Sequence, residues 1–122
     1  MAKILLVEDD DMILEMYQLR FKEAGMEIIT AQDGEAGLAL AKAEQPDVIL
    51  LDIMMPKMDG FAVLTQIKKD PKLVKVPVLM LSNLGQKDDI EKGKKLGAND
   101  YIVKASLTPA QVVDKVKQFI KS

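Results

Sequence analysis

The chain contains neither cysteine nor histidine among its 122 residues, and only 4% of them are aromatic. The lack of cysteine excludes disulfides, thiolate nucleophiles and cysteine-ligated zinc. The lack of histidine excludes an imidazole base and a phosphohistidine. Any chemistry must therefore depend on carboxylates, hydroxyls and lysines.

Long apolar runs are also absent. The first one covers only residues 4–7 and is followed by acidic residues, so it is too short for a secretory signal. No stretch approaches the roughly 20 apolar residues that span a bilayer. We therefore expect a cytoplasmic protein with no membrane partner.

The chain has no excess of basic residues, since it contains 17 lysines and arginines and 19 aspartates and glutamates. A surface that binds duplex nucleic acid is normally strongly basic, so we expect no nucleic-acid partner. The length lies near the common domain size of roughly 100–150 residues, and Gly and Pro occur singly rather than in a linker. We expect residues 1–122 to form one domain without an effector domain.

Five short apolar runs alternate with longer segments of helical period, which predicts an α/β fold with a parallel sheet wrapped by helices. Three runs are continuously apolar, as expected of strands covered on both faces, and the second and fifth are mixed and suit the sheet edges. The predicted strands are residues 4–7, 27–30, 48–51, 78–81 and 101–103. The predicted helices are residues 12–24, 35–44, 61–69 and 88–96, and a last one that is capped by Thr108 and runs to the C-terminus.

Polar residues follow the ends of the central strands: Glu8 and Asp9 after the first, Asp52 after the third, Ser82 after the fourth and Lys104 after the fifth. Ligands of such sheets bind at this edge. Taken singly, the acidic residues could be helix caps or turn formers. Three carboxylates in one crevice repel each other unless a cation is present, and an all-oxygen ligand set favours Mg²⁺.

A carboxylate beside Mg²⁺ can attack phosphorus covalently, because the metal and a lysine neutralise the charge that develops on the transferred oxygens. Asp52 is the candidate nucleophile, with Lys104 as the second cation. A structural aspartate in a turn is the alternative for Asp52.

Four segments, namely residues 7–10, 51–56 with Asp59 and Gly60, 81–82 and 101–104, together resemble the receiver domain of two-component response regulators. The resemblance covers essentially the whole chain. It implies a doubly wound, five-stranded parallel sheet of flavodoxin-like order 2-1-3-4-5 with helices on both faces.

The resemblance implies that Asp52 is the phosphoacceptor, which takes a phosphoryl group from the phosphohistidine of a histidine kinase or of a histidine phosphotransfer protein. Glu8, Asp9 and Asp52 would hold Mg²⁺, together with the backbone carbonyl of Met54. Such a domain catalyses its own phosphorylation and dephosphorylation and is not expected to turn over an external substrate as its main role.

The resemblance also implies a switch. Lys104 would pair with the phosphoryl group, Ser82 would donate a hydrogen bond to it, and Tyr101 would turn into the space that Ser82 vacates. The alternatives are that Ser82 only caps a helix and that Tyr101 is a half-buried strand aromatic.

Four positions bear on how closely the site follows the family pattern. Asn83 stands where a small residue is usual and would narrow access to the crevice. Ala105 replaces a common proline, so a cis Lys104–Ala105 peptide would cost about 2.5–4 kcal/mol. Met54 and Leu84 cannot orient a hydrolytic water by hydrogen bonding, so we expect a long-lived phosphoryl-aspartate.

Output is expected through contact with another, unidentified protein. The resemblance places the output face on the fourth helix, fifth strand and fifth helix, near Lys92, Lys94 and Lys95, and the chain is expected to be a monomer or a phosphorylation-dependent dimer. Met12, Ile13 and Met16 give the first helix extra apolar surface near the expected kinase dock.

Two other functions are compatible with parts of the sequence. A degenerate receiver would bind a partner without phosphorylation, and Asn83 leaves that possibility open. A small Mg²⁺-dependent phosphohydrolase would also use a strand-end aspartate, but residues 8–12 lack the threonine of the haloacid-dehalogenase pattern and 122 residues leave no room for its cap domain.

Overall fold

A computed structural model describes residues 2–82, 87–104 and 106–120. Within these ranges five strands alternate with five helices, as the sequence predicts. In chain order the elements are β1 (Lys3–Val7), α1 (Asp11–Glu23), β2 (Glu27–Ala31), α2 (Gly34–Glu44), β3 (Val48–Asp52), α3 (Gly60–Lys69), β4 (Val78–Ser82), α4 (Lys87–Lys95), β5 (Asp100–Val103) and α5 (Pro109–Lys117).

The five strands form one parallel sheet in the order β2-β1-β3-β4-β5. The two strands with mixed composition lie at the edges, as predicted. The central strands are continuously apolar because helices cover both of their faces. Val7 pairs with Leu51 and Asp52 pairs with Leu81, so the last residues of β1, β3 and β4 lie side by side.

Two apolar layers hold the helices against the sheet. Side chains alternate between the two faces of each strand, so Ile4 and Leu6 enter one layer and Leu5 and Val7 enter the other. Helices α1 and α5 cover the first face, and α2 and α3 lie together on the second.

Aspartates cap the first three helices. Asp10, Asp33 and Asp59 are the N-caps of α1, α2 and α3, and each side chain accepts hydrogen bonds from backbone N–H groups of the first turn. This arrangement satisfies the exposed donors of the helix ends and complements their partial positive charge. The edge of the sheet where the strands end is consequently rich in acidic groups.

Gly60 fixes the loop between β3 and α3. Its N–H donates to the Ile53 carbonyl at 2.8 Å, and a Cβ at this position would lie 2.3 Å from the carbonyl oxygen of Asp52. Only glycine permits this approach, which holds the start of α3 against the end of β3 and so positions Asp52.

The last helix is shorter than predicted. It ends at Lys117, because the N–H groups of Phe119 and Ile120 bond to carbonyls three residues back and tighten the chain into a turn. Both side chains still pack on the core. In the described ranges, no helix combines the length and apolarity needed to cross a membrane.

Candidate functional site

A crevice of about 500 Å³ opens at the edge where the strands end. It is built from the end of β1, the end of β3, the end of β4, the residue after β5, and the starts of α1 and α4. The lining residues are Glu8, Asp9, Asp10, Ile13, Asp52, Ile53, Met54, Ser82, Asp89 and Lys104. Five residues predicted to meet here, namely Glu8, Asp9, Asp52, Ser82 and Lys104, are all present.

The Lys104 ammonium bridges two carboxylates. Its Nζ donates to both oxygens of Glu8 at 2.9 and 2.8 Å and lies 3.3 Å from Oδ2 of Asp52. Glu8 is 1% exposed and Asp52 is 6% exposed. Backbone hydrogen bonds hold Glu8 and Lys104 in place. The N–H of Glu8 donates to the carbonyl of Ala31, and the N–H of Lys104 donates to the carbonyl of Ser82.

Burial perturbs both charged groups of the pair. Loss of hydration is the largest cause that raises the pKa of the Glu8 carboxyl, and Asp52 raises it further. Lys104 offsets these effects only in part, so the pKa of Glu8 is about 8. For Lys104, burial acts to lower the pKa, but the hydrogen bond to Glu8 and the nearby charges of Asp52 and Glu8 outweigh it and raise the pKa. Lys104 therefore stays charged while Glu8 titrates.

Glu8, Asp9 and Asp52 form a group of carboxylates that fits a metal ion. One oxygen from each lies within 4.8 Å of the others. If all three ionise, they carry three negative charges against the single positive charge of Lys104, so a divalent cation would restore neutrality. Oxygen-only ligands of this kind suit Mg²⁺, which keeps several waters and binds through a few carboxylates.

The remaining predicted residues have different placements. Ser82 lies at the end of β4 and lines the crevice, half-buried, and the Met54 side chain lines it with 77% of its surface exposed. Tyr101 is half-buried in β5 and packs against the second apolar layer rather than lining the crevice. Asn83, Leu84 and Ala105 lie outside the described residues, so the expectations for access and for the Lys104–Ala105 peptide stay predictions.

Asp89 is a crevice residue that sequence reasoning missed. It lies in the first turn of α4 and is half-buried, whereas its neighbour Asp88 is exposed. The sequence could have indicated this position, because in a parallel α/β fold the helices begin at the same edge at which the strands end, and Asp89 lies in the first turn of a predicted helix. An acidic residue in the first turn of a helix is commonly explained by the helix dipole alone, which hides such a position.

Comparison with known proteins identifies the class. Residues 4–117 match the family model of the response regulator receiver domain. The chain is 42% identical over 104 residues to the DNA-binding dual master transcriptional regulator RpaA of Synechocystis, which covers 85% of this chain and 43% of RpaA. The chain spans less than half the length of the curated relatives it matches.

Solved structures give the same result. The chemotaxis protein CheY4 of Vibrio cholerae superposes with a TM-score of 0.92 at 32% identity, over 98% of this chain and 99% of CheY4. The Mn(2+)-bound form of the response regulator Rcp1 superposes with a TM-score of 0.85 at 32% identity, over 98% of this chain and 94% of Rcp1.

The chain belongs to the receiver domain family of response regulators, which are phosphoacceptor signalling domains of two-component systems. The predicted family and strand order are confirmed. The phosphohydrolase alternative is not supported, since the family match is to receivers. The expected absence of a nucleic-acid partner stays a prediction, because the relative RpaA is named as DNA-binding.

The raised pKa of Glu8 predicts a pH dependence of stability. A carboxyl whose pKa rises on folding contributes stability that is present below its ordinary pKa near 4.5 and is lost as the pH rises through about 8. In EDTA, the free energy of unfolding of the wild type relative to Glu8→Gln should therefore fall between about pH 5 and about pH 8.5. Urea denaturation of both proteins across this range measures the difference, and a difference that does not change with pH would contradict the assignment.

Proposed function

We propose that Asp52 is the phosphoacceptor of this receiver and takes a phosphoryl group from the phosphohistidine of a histidine kinase or of a histidine phosphotransfer protein. The observation that carries the proposal is the position of the Lys104 ammonium, which bridges Asp52 and Glu8 at the floor of an acidic crevice. An Asp52 oxygen attacks phosphorus, a P–O bond forms as the P–N bond breaks, and the leaving imidazole nitrogen takes up a proton.

The chain's own residues prepare this transfer. Burial removes water from Asp52, and the packing of Gly60 against its carbonyl holds the strand end in place. Lys104 is close enough to follow the phosphoryl oxygens once they are bound to Asp52, and it exchanges part of its contact with Asp52 for them. Lys104 and the end of β3 together supply the positioning and the charge stabilisation that dominate phosphoryl transfer.

Glu8, Asp9 and Asp52 are proposed to hold Mg²⁺, with the backbone carbonyl of Met54 as a further ligand. When bound, Mg²⁺ neutralises negative charge on the transferred phosphoryl oxygens. The carboxylate geometry supports this assignment, as does the structural similarity to Rcp1, whose structure is of a Mn(2+)-bound form.

Ser82 and Tyr101 are proposed to form the switch. Ser82 lines the crevice at the end of β4, and Tyr101 lies on the neighbouring strand β5, where Met80 is its register partner. A hydrogen bond from Ser82 to the phosphoryl group would change the packing available to Tyr101 at the edge of the sheet. The output partner is proposed to be a protein that contacts this side of the molecule, in the cytoplasm.

A second function, phosphorylation-independent binding, has less support. A degenerate receiver has no need of a buried lysine that bridges two carboxylates, because such a contact carries a large desolvation cost. The pairing of Lys104 with Glu8 and Asp52 therefore favours the phosphorylated signalling domain.

The proposal predicts a covalent adduct at one residue. Incubation with a small-molecule phosphodonor and Mg²⁺ should add the mass of one phosphoryl group to the wild type, and no adduct should form with Asp52→Asn or in EDTA. Intact-mass spectrometry measures the product directly. Asp114→Asn, which changes an exposed carboxylate of α5 in the same way, serves as the matched control and should still be phosphorylated.

An adduct that persists in Asp52→Asn would place the phosphoryl group elsewhere. If the wild type forms no adduct and also fails to bind beryllofluoride, phosphorylation is excluded and phosphorylation-independent binding becomes the leading function.

The lifetime of the adduct tests the role of Met54. The apolar, exposed side chain of Met54 offers no group that can orient an attacking water in the crevice. The adduct should therefore decay slowly, and Met54→Gln should shorten its half-life severalfold. Met54→Leu is the control that keeps an apolar chain of similar size, and a half-life equal in Met54→Gln and wild type would contradict the assignment.

A further inference from the structure

Asp89 is the one residue of α4 in the lining of the crevice. Asp89 shares this crevice with Asp52 and Lys104, and it forms no ion pair with any lysine or arginine in the described ranges. Lys104, the cation in the lining, is already engaged by Glu8 and Asp52. Among the residues that the structure describes, no side chain therefore neutralises the charge of Asp89.

Helix α4 is attached to the rest of the molecule by little buried surface. Of its nine residues only Gly93 is buried, whereas α3 buries five of its ten. A further tie is the Lys92 ammonium, which lies 4.6 Å from the centre of the Phe61 ring of α3. Small forces on the first turn of α4 can therefore displace it more easily than they could displace α3.

We infer that Asp89 senses the charge of the phosphoryl group and transmits it to α4 by electrostatic repulsion. This inference rests on the proposed phosphorylation of Asp52. Conversion of the Asp52 carboxylate to an acyl phosphate adds about one further negative charge to the crevice. Because Asp89 lines the same crevice and forms no ion pair within the described ranges, the repulsion acts on the first turn of α4 and weakens its contact with the crevice.

The chain supplies a matched control for this role. Asp88 and Asp89 are adjacent in the first turn of α4, so each interacts with the same helix dipole, but only Asp89 lines the crevice. Asp88→Asn and Asp89→Asn should therefore lose similar helix stabilisation and differ only in their effect on an anion at Asp52. Asp89→Glu keeps the charge and should behave like the wild type.

The first measurement is the affinity for beryllofluoride, an analogue of the phosphoryl group, at saturating Mg²⁺ and low salt. The ¹⁹F signal of the bound form reports occupancy. Removal of the repulsion should make Asp89→Asn bind about three- to tenfold more tightly than Asp88→Asn. The difference should shrink in about 1 M NaCl, because the Debye length falls from roughly 10 Å at 0.1 M to roughly 3 Å at 1 M.

The second measurement is hydrogen exchange of the α4 amides with and without beryllofluoride. Exchange should increase on binding in the wild type, Asp88→Asn and Asp89→Glu, and this increase should be lost in Asp89→Asn. A purely structural role of Asp89 would change exchange in the free protein and leave no salt-dependent difference in affinity.

The outcomes separate this inference from the proposed function. If the wild type does not bind beryllofluoride, phosphorylation of Asp52 fails and the sensor fails with it. If the wild type binds and Asp88→Asn and Asp89→Asn have equal affinities, Asp52 retains its role and Asp89 is not a sensor. Weaker binding by Asp89→Asn would also overturn the inference, because it would mean that Asp89 helps to hold a cation.

Discussion

The contact of Lys104 with Glu8 and Asp52 is the constraint on which the site depends. Removal of charges from water carries a large desolvation cost that is recovered only when partners and geometry are good. Here one ammonium faces two buried carboxylates, so the attraction leaves one negative charge uncompensated, and Asp9 adds another. Burial first, and then the negative charge of Asp52, raise the pKa of Glu8. This arrangement offers no clear gain in stability, and it supports the proposal that the crevice binds a cation and a phosphoryl group.

The fold makes this crowding unavoidable. Parallel strands bring their last residues to one edge, and the register places Val7 beside Leu51 and Asp52 beside Leu81. Glu8 and Asp52 therefore meet without any contribution from flexible loops, and Gly60 prevents the end of β3 from moving away. The aspartate caps of α1, α2 and α3 add negative charge around the same edge. Aspartates therefore both stabilise the helix ends and supply carboxylates to the crevice.

Much of this could be predicted from the sequence, since strand positions and edge strands follow from apolar runs, and the residues after those runs must converge. The contact of Lys104 with two carboxylates could not be predicted, because hydrophobic periodicity and composition carry no information on distances between side chains of different strands. Asp89 was not predicted as a crevice residue for a related reason. Helix α4 is short and polar, so its sequence pattern does not show which of its residues face the crevice. The predicted end of the last helix was also wrong. Phe119 and Ile120 can reach the core from a turn as well as from a helix, so their apolar character does not show that the helix continues.

We propose that Glu8, Asp9 and Asp52 form a divalent cation site, in which Lys104 offsets the repulsion between the carboxylates only in part. Its most direct test is the thermal unfolding midpoint during titration with Mg²⁺ up to about 10 mM, since a ligand that binds only the folded state raises that midpoint. The wild type and Asp114→Asn should be stabilised, and Asp9→Asn, which removes one ligand from the cluster, should respond much less. A wild-type midpoint that does not change with Mg²⁺, or an equal shift in Asp9→Asn, would contradict the account.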